Sequence, residues 1–381
     1  MLIHVTFWAA VVLVLYAYAG YPCLLMVLSL VHRRQVRQSP ITCSVSFVIT
    51  AHNEASRVAA KIENTLAQDY AGSLEILVAS DCSSDRTDDI VRAFGPRVQL
   101  IRTPERRGKE AAQRVAIQHA SGEILIFSDV ATALAPDGVS RIVANFADPS
   151  VGCVSSIDRF VDADGRLSGE GAYVRYEMCL RSLETRVNSL VGLSGSFFAA
   201  RRTVCHDWPA DRPSDFNTLL NTLKLGMRGV LDPLSIGYYH PIADERAEFQ
   251  RKVRTVVRGI SVVAGNVQML NPLRYGLFSW QLASHKLCRW LVPVALVIAL
   301  TTNVLLAAQS SWYVATLCAQ IGFYAAAAGG WAGNQRLRMP FYFVVANLAI
   351  LIAWIRYARG ERMTTWNPSE RPAVLPQVCV R

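Results

Sequence analysis

Between residues 44 and 130, short β-branched apolar runs alternate with stretches whose apolar positions recur at helical spacing. SVSFVIT (44–50), LEILVAS (74–80), VQLIRT (98–103) and EILIFS (123–128) predict strands. Unbroken apolar runs suit parallel strands covered on both faces. The intervening NEASRVAAKIENTLAQ (53–68), SSDRTDDIVRAF (83–94) and GKEAAQRVAIQHA (108–120) predict helices. Ser83, Ser84 and Asp85 supply capping chemistry at the start of the second. Strands separated by helices of this length predict a doubly wound, mostly parallel α/β sheet. Further on, the pattern predicts a long helix over 169–190, strand-like FFAA within 190–202, a strand over 229–241 and an amphipathic helix over 245–270.

The two ends follow a different pattern. Residues 5–31 carry no charge and are long enough to span a bilayer with some tilt. Basic residues follow this stretch, at His32-Arg33-Arg34, whereas a signal peptide carries them in front. The segment therefore predicts a retained anchor. Further spans are expected at 290–308, 311–328 and 340–355. Positive-inside counting places Arg33, Arg34, Arg37 and the central domain in the cytoplasm. It asks the same of RYARGER (356–362), which three C-terminal crossings would put outside. The expected organisation is an anchor over 1–34, a catalytic domain over 42–245, amphipathic basic helices over 246–288, spans over 289–358 and a tail over 359–381.

Composition sharpens this picture. The 381 residues accommodate one catalytic domain of about 200–250 residues plus membrane segments. A net charge of +10 suits an anionic leaflet and phosphorylated substrates. No basic stripe is interleaved with aromatics, so nucleic acid is not an expected partner. The nine Cys show no CxxC spacing, which predicts reduced thiols and argues against a zinc site.

Acidic residues at strand ends carry the candidate chemistry, because the carboxyl ends of parallel strands open onto the ligand crevice. Asp81 follows LEILVAS and is a candidate ligand contact. Asp129 ends EILIFSD, where a carboxylate can hold Mg²⁺ or Mn²⁺ bridging two phosphates. Thr50, Ala51 and Glu54, in TAHNE after the first strand, stand where a nucleotide base or ribose would sit; Glu54 equally suits an early helical turn. Arg106-Arg107-Gly108-Lys109 combines a helix start with cations, a setting for a diphosphate or a solvated basic turn. Asp215, in PSDF, could cap a helix or act as a general base toward an acceptor hydroxyl. Arg251 and Arg254, in QRKVR, share a helix face and suit phosphate, or an anionic lipid surface.

In this order the motifs resemble the membrane-bound family 2 glycosyltransferases, relatives of cellulose and hyaluronan synthases. VSFVITAHNEA resembles the nucleotide-binding turn, ASDCSSDRT the Asp-x-Ser-x-Asp segment, and RRGKEAAQ the Gly-Lys turn. FSDVAT resembles the metal-binding Asp-x-Asp, PSDF the motif supplying the base, QRKVR the Gln/Arg-x-x-Arg-Trp motif, and TWNPSER (365–371) the gating segment. The resemblance implies a GT-A fold, with a Rossmann-like nucleotide half over 42–130 and an acceptor half over 131–245. It further implies an inverting enzyme at the cytoplasmic face of the inner membrane. The donor would be a nucleotide-sugar, UDP-linked by expectation, and the acceptor a polysaccharide or glycolipid. Transfer to polyprenyl phosphate or another lipid is a second reading, and a non-catalytic scaffold a third. By the same resemblance Asp81 contacts the base, Asp129 the metal, and Lys109, Arg251 and Arg254 the diphosphate, while Asp215 takes the proton. Two positions depart from the pattern: Ala131 replaces the second metal-motif Asp, and Thr255 replaces the Trp near the acceptor, which weakens the case for processive synthesis.

Overall fold

The computed structural model describes residues 1–161, 172–240 and 244–362. TWNPSER lies outside the described residues. The chain forms two compact units, one of Met1–Val27 with Glu245–Arg362, the other centred on Leu28–Asp244. Helix α1 (Leu2–Leu15) continues through a π-helical turn into α2 (Tyr21–Val31).

The second unit then alternates as expected: β1 (Val45–Ala51), α3 (Val58–Leu66), β2 (Leu74–Ser80), α4 (Thr87–Arg92), β3 (Gln99–Arg102), α5 (Lys109–His119) and β4 (Ile124–Asp129). Next come β5 (Ala133–Leu134), α6 (Gly138–Ala144), β6 (Val151–Phe160), α7 (Ala172–Val187), β7 (Phe197–Arg201), α8 (Ser214–Lys224) and β8 (Arg228–Tyr239). One sheet runs β3-β2-β1-β4-β7-β6-β8-β5. The first four strands in this order are parallel, and β7 runs antiparallel to both β4 and β6. The strand order reverses between β1 and β4, which places the crevice at their carboxyl ends. There Thr50 is the register partner of Asp129.

Side chains alternate across β1. Val45, Phe47 and Ile49 pack with Val58 and Ile62 of α3 and with Ile76, Val78 and Ile126 in a fully enclosed core. Such side chains each contribute about 1.5–3 kcal/mol on burial. Thr50 points to the opposite face, where its Oγ1 accepts from Gln113 of α5 at 3.1 Å. Helices α3 and α5 thus cover opposite faces of the strand that borders the crevice.

Helix α3 starts later than its periodicity predicts. Asn53 adopts φ +52°, in the left-handed region, so residues 52–57 form a turn rather than helix. Ser83 and Ser84 fasten this turn instead of capping α4: Asn53 N donates to Ser83 Oγ at 3.2 Å, and Ser84 N to Asn53 Oδ1 at 2.8 Å. Asp85 does cap, accepting from Thr87 N at 3.0 Å.

The other unit contains α9 (Glu245–Ala264), α10 (Pro272–Tyr275), α11 (Leu277–Leu282), α12 (Arg289–Leu306), α13 (Ser311–Trp331) and α14 (Arg338–Ala358). Among the described residues three helical stretches are long and apolar enough to cross a membrane: Leu2–Val31, Leu277–Leu306 and Gln335–Ala358. The expected span at 311–328 forms α13 but falls outside this set. It lacks charge, yet its Ser, Thr, Gln, Tyr and Gly residues dilute its hydropathy. Asn303 of α12 is completely buried, with its amide in hydrogen-bond reach of Gln320 at 3.0 Å and Thr316 at 3.1 Å, both on α13.

Gly122 marks the tightest approach before β4. A Cβ there would lie 2.4 Å from Ser46 N and 2.7 Å from Val45 C, backbone atoms of the central strand. Gly122→Ala is expected to destabilise the domain by about 1–3 kcal/mol through overpacking. Thermal unfolding checks this, and an unchanged Tm would refute the fixed approach.

Candidate active site

Asp129 stands at the tip of β4 with a quarter of its side chain exposed, facing the α5 side of the sheet. The Lys109 ammonium, from the first turn of α5, pairs with Asp129 Oδ1 and donates to Gly195 O at 2.9 Å. Asp81 lies below this pair, fully buried, and accepts from Arg107 N and Gly108 N at 2.9 Å each. Gly108 has φ +96°, a conformation that glycine adopts without strain. Asp81 therefore sets the turn that aims Lys109, and its oxygens satisfy N–H groups just before the helix that would otherwise lack partners. Thr50 Oγ1 is engaged by Gln113, and Ala51 O accepts from Asp81 N at 2.9 Å. These residues knit the strand tips together.

Asp215 occupies the first turn of α8, half-buried. Among the described residues its carboxylate makes no hydrogen bond, so capping is not its role. A Cβ on Gly195 would come 3.3 Å from Asp215 Oδ2. Gly195 thus touches both Lys109, through its carbonyl, and Asp215, across its bare Cα. The flanking serines fix this loop. Ser194 Oγ donates to Asp158 at 2.7 and 2.8 Å, and Ser196 Oγ also donates to Asp158. Ser196 O accepts from Asp129 N at 3.0 Å. Ser194 N donates to Ser155 Oγ at 2.7 Å, and Arg181 Nη2 to that same Oγ at 2.6 Å.

Glu54 is buried and ion-paired with Arg57. Burial is the largest influence on its carboxyl and raises its pKa; Arg57 opposes this, and the nearby Asp129 and Asp85 reinforce it. Arg251 and Arg254 belong to the other unit, on α9, where Arg251 donates to Glu248 at 2.7 and 2.8 Å.

Sequence reasoning passed over Lys61, Asp158 and Arg181. Lys61 shares the inward stripe of α3 with Val58, Ile62 and Thr65 and is fully buried. A charge on an apolar stripe was the available signal. Asp158 lies within β6, two residues before its end, where the strand-end rule applied to Asp81 and Asp129 does not reach.

Among the described residues no three His, Cys, Asp or Glu side chains converge as a metal cage. The single carboxylate of Asp129 suits a divalent ion that brings phosphate and water ligands with it.

Residues 46–208 match the family model described as glycosyl transferase family 2. This segment is a family 2 glycosyltransferase domain. An N-acetylglucosaminyltransferase of Sinorhizobium fredii is 35% identical over 114 residues, 29% of this chain and 28% of that protein. The succinoglycan biosynthesis protein ExoO of Rhizobium meliloti is 34% identical over 125 residues, 32% of this chain and 35% of its own length. The alignments thus span about a third or less of these relatives. In fold, the chain is similar to the Pyrobaculum calidifontis mannosyltransferase PcManGT, whose structure contains GDP-Man and Mn²⁺. The TM-score is 0.73 at 22% identity, over 93% of this chain and 99% of that one. The glycosyltransferase domain has the GT-A fold. The matched family segment contains Asp81, Lys109 and Asp129 and ends before Asp215.

Burial pulls the Lys61 ammonium down to about 7, against the opposing pull of Asp129. The unfolded group titrates near 10.4. The folded pKa is thus depressed, and the penalty for burying the charge is full below about pH 7 and fades as pH rises toward 10. Between pH 7 and 9 the Tm of the metal-free wild type is expected to rise relative to that of Lys61→Met. Parallel Tm–pH curves would overturn the assignment.

Proposed function

We propose that the chain is an inverting glycosyltransferase that uses a nucleotide-sugar donor and acts at the cytoplasmic face of the inner membrane. The observation carrying this reading is the convergence on Gly195, where Lys109 and Asp129 meet on one side and Asp215 approaches on the other. A donor diphosphate at the β1–β4 crevice and an acceptor hydroxyl beside Asp215 would then be neighbours.

In the reaction, Asp215 accepts the proton of the acceptor hydroxyl as that oxygen attacks the anomeric carbon. The bond to the diphosphate oxygen breaks on the opposite face, and its electron pair leaves with the diphosphate. Lys109 stabilises that charge from the start of α5, where backbone N–H groups add to the field. Arg251 and Arg254, on α9, suit phosphate by residue type and shared helix face. Thr50, Ala51, Glu54 and Asp81 form the nucleotide end, Asp81 by holding the Lys109 turn. A Mg²⁺ or Mn²⁺ ion on Asp129 supplies charge neutralisation of the diphosphate when bound.

The relatives named as N-acetylglucosaminyltransferases and as a succinoglycan biosynthesis protein support transfer of a sugar to a glycan acceptor; a UDP-linked donor is part of the proposal. With Leu277–Leu306 and Gln335–Ala358 as the C-terminal crossings, Arg33, Arg34 and RYARGER fall on one side of the membrane, as positive-inside counting requires. The net charge of +10 supports contact with anionic lipid. Transfer to polyprenyl phosphate is the second reading, favoured by Thr255 in place of the Trp and by the small number of spans.

The test is purification in detergent, a nucleotide-sugar panel, and mass analysis of the product. A single sugar on lipid supports the second reading, a polymer the first. Asp215→Asn is expected to lower transfer by about 10²–10⁴-fold, the usual worth of a general base, with nucleotide affinity retained in calorimetry. Near-normal turnover would remove Asp215 from that role. Asp129→Ala is expected to abolish the Mn²⁺-dependent part of UDP binding; equal affinity with and without Mn²⁺ in the wild type would refute the metal site.

A further inference from the structure

Helix α3 holds the segment after Asp129 with a ladder of polar side chains. Lys61 Nζ donates to Thr132 O at 2.7 Å. Asn64 donates to Leu134 O and accepts from Leu134 N, both at 2.9 Å. Gln68 donates to Ala135 O at 2.9 Å and accepts from Val139 N at 3.0 Å. Thr132 N in turn donates to Asp129 O at 3.2 Å, closing the turn on which the carboxylate sits.

Two rungs of this ladder are neutral amides, and they hold backbone as well as the ammonium does. The charge at position 61 therefore needs another reason. It is fully buried, lies over the Phe47 ring at 5.1 Å, and among the described residues has a single hydrogen-bond acceptor for its three N–H groups. Beside it Thr132 Oγ1 is buried without a partner. Burying an ammonium this way costs stability, and replacing buried charge by apolar volume is often neutral or stabilising. Through Thr132, Lys61 stands two hydrogen bonds from the backbone of Asp129, whose carboxylate favours its charged form.

We propose that Lys61 is a positioning residue for the donor site: from beneath the Asp129–Thr132 turn, its charge keeps the Asp129 carboxylate seated and compensated once Lys109 swings to the diphosphate. Lys109 and Lys61 approach the tip of β4 from opposite faces of the sheet, so one can leave while the other stays. The proposal rests on the reading of Asp129 given above.

The experiment compares full-length Lys61→Met, Lys61→Gln, Asn64→Leu and Asp129→Asn in detergent. Each is titrated by calorimetry with UDP or GDP, whichever gives the larger Mn²⁺-dependent signal in the wild type, and unfolded thermally without metal. Both Lys61 variants are expected to weaken Mn²⁺-dependent binding about tenfold or more while Tm is held or raised. Asn64→Leu, cutting a neutral rung, is expected to lower Tm and leave binding within twofold. A merely structural lysine would give the Asn64→Leu pattern, and that result overturns the proposal. If Lys61→Met does not fold, Lys61→Gln, which keeps a donor without the charge, decides the question by the same two readouts. Asp129→Asn separates the two levels. If it removes binding and the Lys61 variants do not, only the role of Lys61 fails; if it binds like the wild type, the donor-site reading fails and the proposal with it.

Discussion

The carboxylate of Asp129 pairs with the Lys109 ammonium, which α5 delivers from one face of the sheet. From the other face, Lys61 of α3 holds the carbonyl of Thr132, whose N–H closes the turn on Asp129. Much of the surrounding architecture serves that placement. Asp81 is buried to set the turn before Lys109. Asp158 holds Ser196, whose carbonyl takes the Asp129 N–H. A strand tip is a precise platform because its neighbours fix it in two dimensions. Charge there still needs local compensation, and Lys109 provides it.

The parallel half of the sheet was legible because its signal is local. Unbroken apolar runs such as LEILVAS and EILIFS can satisfy themselves only when covered on both faces, and they became β2 and β4. The antiparallel side was harder to read. Strand β6 contains Gly152, Ser155 and Ser156, and its place in the sheet comes from pairing with β7 and β8, which are distant in sequence. Asp158 was missed with it, because it lies within that strand, two residues before its end.

The candidate site shows a similar division. Asp129 and Lys109 were visible from position and type, and the structure brings them into contact. Asp81 was visible as a strand-end acid, but its partners are backbone N–H groups 26 and 27 residues later, which no local pattern announces. Asp215 also read as a helix-cap neighbour; its carboxylate makes no hydrogen bond among the described residues, and it lies beside Gly195 in the loop before β7. Lys61 was hidden for the opposite reason. One lysine among the inward positions of a helix reads as ordinary amphipathic noise until complete burial reveals its cost.

The pairing of Lys109 with Asp129 also constrains how a donor is received. A diphosphate needs the ammonium, and a divalent ion needs the carboxylate, so neither can be fully engaged while the two hold each other. Breaking the pair for a cation alone would leave the partly buried Lys109 ammonium without its carboxylate. Supplying both together exchanges one ion pair for two: ammonium with phosphate, and carboxylate with cation. On the proposed reading, this geometry would favour a cation–diphosphate complex over a cation alone.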